Sequence, residues 1–385
     1  MKPNGLIARL TAAVLAAGAM SGLAGCAGVA PAVSTVAGSG AGSAPAFSAA
    51  AAKVPWSNIG PGWELVQLTA TADARPRPSV LDLIDPAGRR YELYRLPATA
   101  PGTISWSLVG WSADKTQALL TGPPNQVEQV SLTSGTLTRF ALAGHALAVG
   151  YAGTSRDILG FQDLSHGPDT PARYSPSGRL IAVLAAGQFS GIAFQGANGT
   201  YAFGGAPSLI LANAGHRILR RLPVPGAGPY ECGPVRWWDS RTILASCATS
   251  GGSRLWLVPA DGARPVPLTP LRGDPGPDHG DIGAWLVAGR LYLQARGACG
   301  TVQIYRQEPG GQVTSVAVPH TVGDNNRILT ALGPRLLLQA QTDCLGSESL
   351  LWFNPRTNAE QWLVKTSPGQ YGLQAAIPFA TRESA

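Results

Sequence analysis

Apolar and polar residues alternate along this chain in short runs, each closed by glycine, proline, asparagine or aspartate. The clearest example is residues 255–270, LWLVPADGARPVPLTP: an apolar run, a turn at Ala260-Asp261-Gly262, and a second alternating run. Asp-Gly between two such runs marks a β-hairpin, because the turn needs a positive φ that Gly adopts at little cost. The same pattern returns at residues 80–96, 127–143, 172–185, 208–223, 302–318 and 350–365. The turn residues Gly88, Gly135, Gly178, Gly215, Gly262, Gly310 and Asn358 are 47, 43, 37, 47, 48 and 48 positions apart. A second, more variable set of hairpins lies between them, at residues 104–121, 147–162, 191–203, 235–247, 282–295 and 328–341. No stretch shows a helical period.

Two hairpins per period make a four-stranded unit, A to D. Such units repeating every forty-odd residues form a β-propeller, whose closed ring leaves few exposed edges. The expectation is an all-β, seven-bladed propeller of four-stranded antiparallel blades; six or eight blades fit the spacing less well. Before the first C–D hairpin there is a strand B, residues 62–70 (GWELVQLTA), but no convincing strand A. After the seventh hairpin one strand is left over, residues 371–379 (YGLQAAIPF). It is expected to be the innermost strand of blade 1 and so to close the ring; the alternative is a strand added beside blade 7. The Trp residues at 106, 111, 237, 256, 285, 352 and 362 fall on strands, where inter-blade packing is the simpler role and ligand stacking the alternative.

The N-terminus sets the address. Lys2 and Arg9 form a short positive region, and residues 10–23 are apolar and Ala-rich, too short for a comfortable membrane span. They end at Leu23-Ala24-Gly25-Cys26, which resembles the lipobox of bacterial lipoproteins. That resemblance implies a signal peptide over residues 1–25 and lipidation of Cys26, with the acyl chains holding the protein on a membrane. Residues 26–55 then read as the lipidated Cys and a flexible Ala/Gly/Ser/Pro tether. The propeller is assigned to residues 56–380 and a disordered tail to 381–385.

A second resemblance lies within the repeats. Residues 172–182, ARYSPSGRLIA, are similar to the S-P-D-G-x-x-I-A signature of TolB-like propellers, and Val109-Gly110-Trp111-Ser112-Ala113-Asp114 is a looser version. In those repeats the signature lies on the A–B hairpin, whereas alternation here assigns residues 172–185 to C–D, so the register of blades 3 and 4 is the least secure. Trp238-Asp239 lies in an A–B turn and does not make the repeat WD-type. The family implies a binding or scaffolding platform in the envelope, and a fold alone does not fix a function.

Composition adds limits. Gly (48) and Pro (32) make up about a fifth of the chain, placed as turn punctuation. The formal charge of +7 drops to +5 without Lys2 and Arg9, and no dense basic block or Arg/aromatic interleaving points to nucleic acid. Four cysteines remain after Cys26, with no CxxC and no zinc-type His spacing. Topology favours Cys232–Cys247 across strands A and B of blade 5, and Cys299–Cys344 between blades 6 and 7; the runner-up is Cys247–Cys299 with two free thiols.

Candidate chemistry is sparse. His145, His279 and His320 fall in D–A loops and His166 in a B–C loop, so all four map to one face of the ring. Asp169, Asp274, Asp278, Asp281 and Asp324 lie near them, and the set could hold a cation or move a proton. Polar residues also collect in solvated loops without any role. No catalytic residue, metal site or cofactor is assigned. His216, Arg217, Arg220 and Arg221 of blade 4, with Arg89, Arg90 and Arg95 of blade 1, make some outer strands basic. They serve either edge protection or docking on an anionic membrane or polymer. The sequence therefore reads as a monomeric, lipid-anchored, extracytoplasmic propeller of the bacterial surface or periplasm that binds an envelope protein or polymer without catalysis. The alternative is an envelope enzyme (lyase, hydrolase or cofactor-dependent oxidoreductase) using the His/Asp face.

Overall fold

The computed structural model describes residues 48–379 apart from 71–76, 100–105, 123–125, 145, 163–169, 185–190, 196–198, 206–207, 214, 216, 226–231, 250–251, 272–279, 297–300, 323–324, 343–347 and 367–370. The described strands form seven four-stranded antiparallel sheets, the blades of a propeller. Blade 1 holds β1 (Glu64–Ala70), β2 (Arg77–Ile84) and β3 (Arg90–Thr99). Blade 2 is β4 (Ser107–Trp111), β5 (Gln117–Thr121), β6 (Gln126–Ser131) and β7 (Leu137–Ala141). Blade 3 is β8 (Ala146–Tyr151), β9 (Ile158–Gln162), β10 (Thr170–Tyr174) and β11 (Leu180–Val183). Blade 4 is β12 (Ile192–Gln195), β13 (Thr200–Gly205), β14 (Ser208–Ala212) and β15 (Ile218–Pro223). Blade 5 is β16 (Cys232–Trp237), β17 (Thr242–Thr249), β18 (Gly252–Pro259) and β19 (Val266–Pro267). Blade 6 is β20 (Asp281–Val287), β21 (Arg290–Arg296), β22 (Val302–Gln307) and β23 (Val313–Ser315). Blade 7 is β24 (Asn326–Leu332), β25 (Arg335–Gln341), β26 (Glu348–Asn354) and β27 (Ala359–Val364).

The leftover strand, β28 (Tyr371–Pro378), pairs antiparallel with β1, giving blade 1 the order β28-β1-β2-β3. The ring closes as expected, with the C-terminal strand innermost. The seven C–D hairpins fall where the alternation places them, including β10–β11, so the blade 3 register is C–D and not A–B. Gly262 sits at φ +86°, as its turn requires. Gly178 also has positive φ and lies so close to the Ala141 carbonyl of blade 2 that a Cβ would not fit.

Period-2 alternation feeds two seams from each blade, because both faces of a blade are covered. In β17, Ile243, Ala245 and Cys247 pack toward blade 4 while Leu244 packs toward blade 6. The described core accordingly divides into seven apolar clusters, one at each seam. Burying one Leu or Ile side chain contributes about 1.5–3 kcal/mol, so the seams carry most of the ring's stability. Trp106, Trp111, Trp237, Trp256 and Trp352 are buried in them, and Trp285 and Trp362 are partly buried at the blade 6–7 seam. Inter-blade packing is therefore the role of these Trp.

Six of the seven innermost strands carry a register shift against their second strand: β28 opposite Gln67/Leu68, and the others between Leu108/Gly110, Ala148/Gly150, Pro234/Arg236, Asp281/Gly283 and Ile328/Thr330. A bulge leaves backbone groups without ladder partners, and in a buried strand those groups need others. The preceding blade supplies some of them. Gln67 Oε1 accepts from Leu108 N at 2.7 Å while its Nε2 donates to Trp106 O at 2.7 Å. Gln294 Oε1 accepts from Ile328 N at 2.8 Å, and Ser246 Oγ donates to Asp281 O at 3.2 Å.

The start of the domain differs from the expected boundary. Residues 48–55, read as tether, pack on blade 1: Ser48 N donates to Leu93 O, and Ala51 and Val54 are buried in the blade 1–2 cluster. Small apolar residues without a period give no sequence signal of docking, yet they fit a shallow site.

The buried carboxyl of Glu64 has no such compensation. Glu64 shares the face of β1 that carries Val66 and Leu68 toward blade 7, and it is fully buried. Neither carboxyl oxygen has a hydrogen-bond partner, and burial pushes the carboxyl well above the usual carboxylate range. In the unfolded chain the group titrates at its ordinary value, so the folded state holds this proton more tightly and stability falls as pH rises through the raised value. Glu64→Gln removes that dependence. In urea unfolding from acid to neutral pH, the variant should match the parent below the ordinary Glu range and become the more stable protein as pH rises. A difference that does not change with pH contradicts this.

Candidate functional site

The structure describes two members of the proposed His/Asp face and places them apart in role. Asp281 opens β20, the innermost strand of blade 6, and is fully buried; its backbone carbonyl accepts from Ser246 Oγ and, at 3.4 Å, from Ser253 Oγ of blade 5. His320 lies in the connection from β23 to β24, with φ +53° and an exposed ring. Its Nδ1 is 2.9 Å from Glu360 Oε2 on β27, the outermost strand of blade 7, so the pair ties blade 6 to blade 7 at the periphery. Asp281 is thus part of the blade 5–6 seam, and His320 belongs to an inter-blade contact. His145, His166, Asp169, Asp274, Asp278, His279 and Asp324 lie outside the described residues, as does Cys26. Among the described residues no group of three His, Cys, Asp or Glu is placed to hold a metal ion.

A polar cluster that sequence reasoning missed lies in blade 7. Arg327 on innermost β24 is paired across the ladder with Gln339, and Gln339 Nε2 donates to Glu348 on β26. Burial pushes the Glu348 carboxyl up, against the pull of the Gln339 bond and Arg327; burial also pushes the Arg327 guanidinium down, against the attraction of Glu348. These side chains share the face of Leu329, Leu337 and Leu350 that packs toward blade 1. Isolated polar positions on an apolar strand read as outward-facing, which is why the pattern hid them.

The Cys232–Cys247 disulfide is present. The two residues are directly opposite in the β16–β17 ladder, and both are buried in the blade 4–5 cluster. Cys232 opens β16, and Cys247 lies two residues before the end of β17. Cys299 and Cys344 lie outside the described residues.

The third feature is electrostatic. The arginines on the outer strands of blades 1 and 2, and in the turn that leads into β3, have acidic partners. Arg89 pairs with Asp85, Arg90 with Asp82, Arg95 with Glu92 and Arg139 with Glu128. Arg139 also lies over the Trp106 ring at 5.1 Å. On blade 4 the pattern breaks: four of the six residues of β15, Ile218, Leu219, Arg220 and Arg221, are exposed in a row. Beside them, between the end of β15 and the β18–β19 turn, opens a cleft of about 370 Å³ lined by residues 222–225, Val258 and residues 262–265. Arg264 is its one charged lining residue.

No protein-family model matches the chain, and no curated protein matches it in sequence. Solved structures do. The β-propeller domain of the Trilobed protease from Pyrococcus furiosus superposes with a TM-score of 0.50 at 11% identity, covering 80% of this chain and 96% of that one. That domain is described as having an open velcro topology, whereas here β28 completes blade 1. A puromycin-hydrolyzing peptidase from Mycobacterium tuberculosis gives 0.49 at 13% identity over 78% of this chain, which spans about half (53%) of that protein's length. The dihydro-heme d1 dehydrogenase NirN gives 0.49 at 14% identity, covering 82% of this chain and 75% of that one. At 11% identity the likeness to the Trilobed protease domain shows the fold, a β-propeller, and nothing of the chemistry.

The disulfide yields a direct test. A cross-link of this kind stabilises a fold by about 2–4 kcal/mol. The Cys232→Ser/Cys247→Ser double variant should lose stability in that range in denaturant unfolding, and reducing agent should shift the parent but not the variant. Equal stability of the two proteins contradicts a contribution from this bond.

Proposed function

We propose that the protein is a membrane-anchored, extracytoplasmic lipoprotein whose β-propeller, built from TolB-like repeats, serves as a non-catalytic binding or scaffold module of the cell envelope. The observation that carries this reading is the N-terminal segment, with its short basic start, apolar stretch and Leu23-Ala24-Gly25-Cys26. The disulfide supports it independently, since such bonds persist in oxidising compartments outside the cytoplasm. A ring with seven packed seams offers a stiff platform, and the loops and rim that it holds in place are where a partner protein or polymer binds. The two described residues of the His/Asp face are engaged in inter-blade contacts, which suits a structural role for them better than chemistry.

Expression in a bacterial host fed a clickable fatty acid tests the anchor. The parent should take up the label and sediment with membranes, and Cys26→Ser should do neither. Crosslinking on those membranes should trap a discrete envelope partner. An unlabelled parent, or label retained by Cys26→Ser, contradicts the assignment.

A further inference from the structure

The rim of blades 3–5 differs from the rest of the ring in two ways that coincide. Its outer strands expose aliphatic side chains: Ile181 and Val183 on β11, Ile218 and Leu219 on β15, and Val266 on β19 are each between 43 and 57% exposed. Along the outer strands of blades 3 and 4 its charge also has one sign, while blade 5 exposes Asp261 in the turn that Arg220 lies against. From Asp169 to Glu231 the chain has no acidic residue and five arginines. Of these, Arg173 is paired with Asp157. Arg217, Arg220 and Arg221 have no acidic partner among the described residues. Arg220 lies against the Gly262 turn of blade 5, where a Cβ would come within 2.8 Å of its Nη1, so it stands beside the cleft between β15 and β19.

Protection of a sheet edge needs charge alone. Blade 1 and blade 2 place their outer-strand arginines opposite acids, as in Arg95–Glu92 and Arg139–Glu128. Edge protection therefore accounts neither for the missing acids of blade 4 nor for the aliphatic residues beside its arginines. Exposed aliphatics flanked by unpaired arginines match a surface that is anionic outside and apolar beneath. Guanidinium groups hold phosphate oxygens in paired hydrogen bonds, and aliphatic side chains enter the boundary between headgroups and acyl chains.

We propose that the rim formed by β11, β15 and β19 docks on an anionic phospholipid bilayer. The contact uses Arg217, Arg220 and Arg221 for the phosphates and Ile218 and Leu219 for the apolar boundary. It goes beyond the lipid anchor, because it fixes which side of the ring meets the membrane, and it does not depend on acylation.

The test uses the full chain carrying Cys26→Ser, which bears no acyl group, so the anchor and the rim fail separately. Sedimentation is measured with vesicles of equal parts phosphatidylglycerol and phosphatidylcholine, and with phosphatidylcholine alone. The parent should bind the anionic vesicles, and binding should weaken as salt rises. Arg217→Glu/Arg220→Glu/Arg221→Glu should weaken affinity by about fivefold per arginine, about a hundredfold together. Ile218→Ser/Leu219→Ser should weaken binding while leaving its salt dependence in place. The control Arg89→Glu/Arg95→Glu, in the same background and on blade 1, should bind as the parent does. Equal binding by the arginine triple variant and the parent, or equal binding of the parent to both vesicle types, overturns the proposal. A parent that binds neither vesicle overturns it too and points to an acidic protein as the occupant.

Discussion

A blade of this propeller is a sheet with two apolar faces, and neither is stable unless another sheet lies against it. A ring meets that requirement for every blade only if its first and last members meet. Here the pairing of β28 with β1 makes them meet. The same short strand also serves both neighbouring seams. Ala375 packs into the blade 1–2 cluster, while Leu373 and Ala376 pack into the blade 7–1 cluster. Without it blade 1 has no innermost strand, and two of the seven seams lose part of their packing.

The cost of a tight ring falls on its innermost strands, where bulges leave buried backbone groups off the ladder. Gln67, Gln294 and Ser246 answer this from the second strand of the preceding blade, so each inter-blade seam they cross combines apolar contact with a directional bond. Such bonds are specific about register in a way that Leu against Leu is not. Glu64 is an exception, a carboxyl buried in the closing blade without a partner, and its cost grows with pH. A frame built this way is rigid where blades meet, which leaves binding to the loops and the rim.

Much of the fold was legible in the sequence because turn chemistry and alternation are local. Gly88, Gly135, Gly178, Gly262, Gly310 and Asn358 all adopt the positive φ that their hairpins need. The leftover strand was readable as a closing strand because blade 1 lacked an inner one. The bridges from Gln67 and Gln294 were not legible, since they depend on where a neighbouring strand bulges. Glu64 was hidden for the opposite reason: a polar residue at the start of a strand reads as solvated, while here blade 7 covers it. The docking of residues 48–55 was missed because an Ala-rich segment carries no period. Of the candidate face, a list of His and Asp in loops said nothing of distance, and His320 proves to have its partner on the outer strand of blade 7. The basic strand of blade 4 was visible, but its significance rests on exposure and on the missing acidic partners, which only the fold reveals.

Ring closure is the claim on which the rest depends, and amide hydrogen exchange tests it most directly. If β28 is an integral strand of blade 1, the amides of Glu64–Ala70 and of residues 371–377 exchange together, slowly, and only through global unfolding. Rapid exchange across residues 371–377 while Glu64–Ala70 stays protected would show a terminus that comes and goes, and would contradict a closed ring.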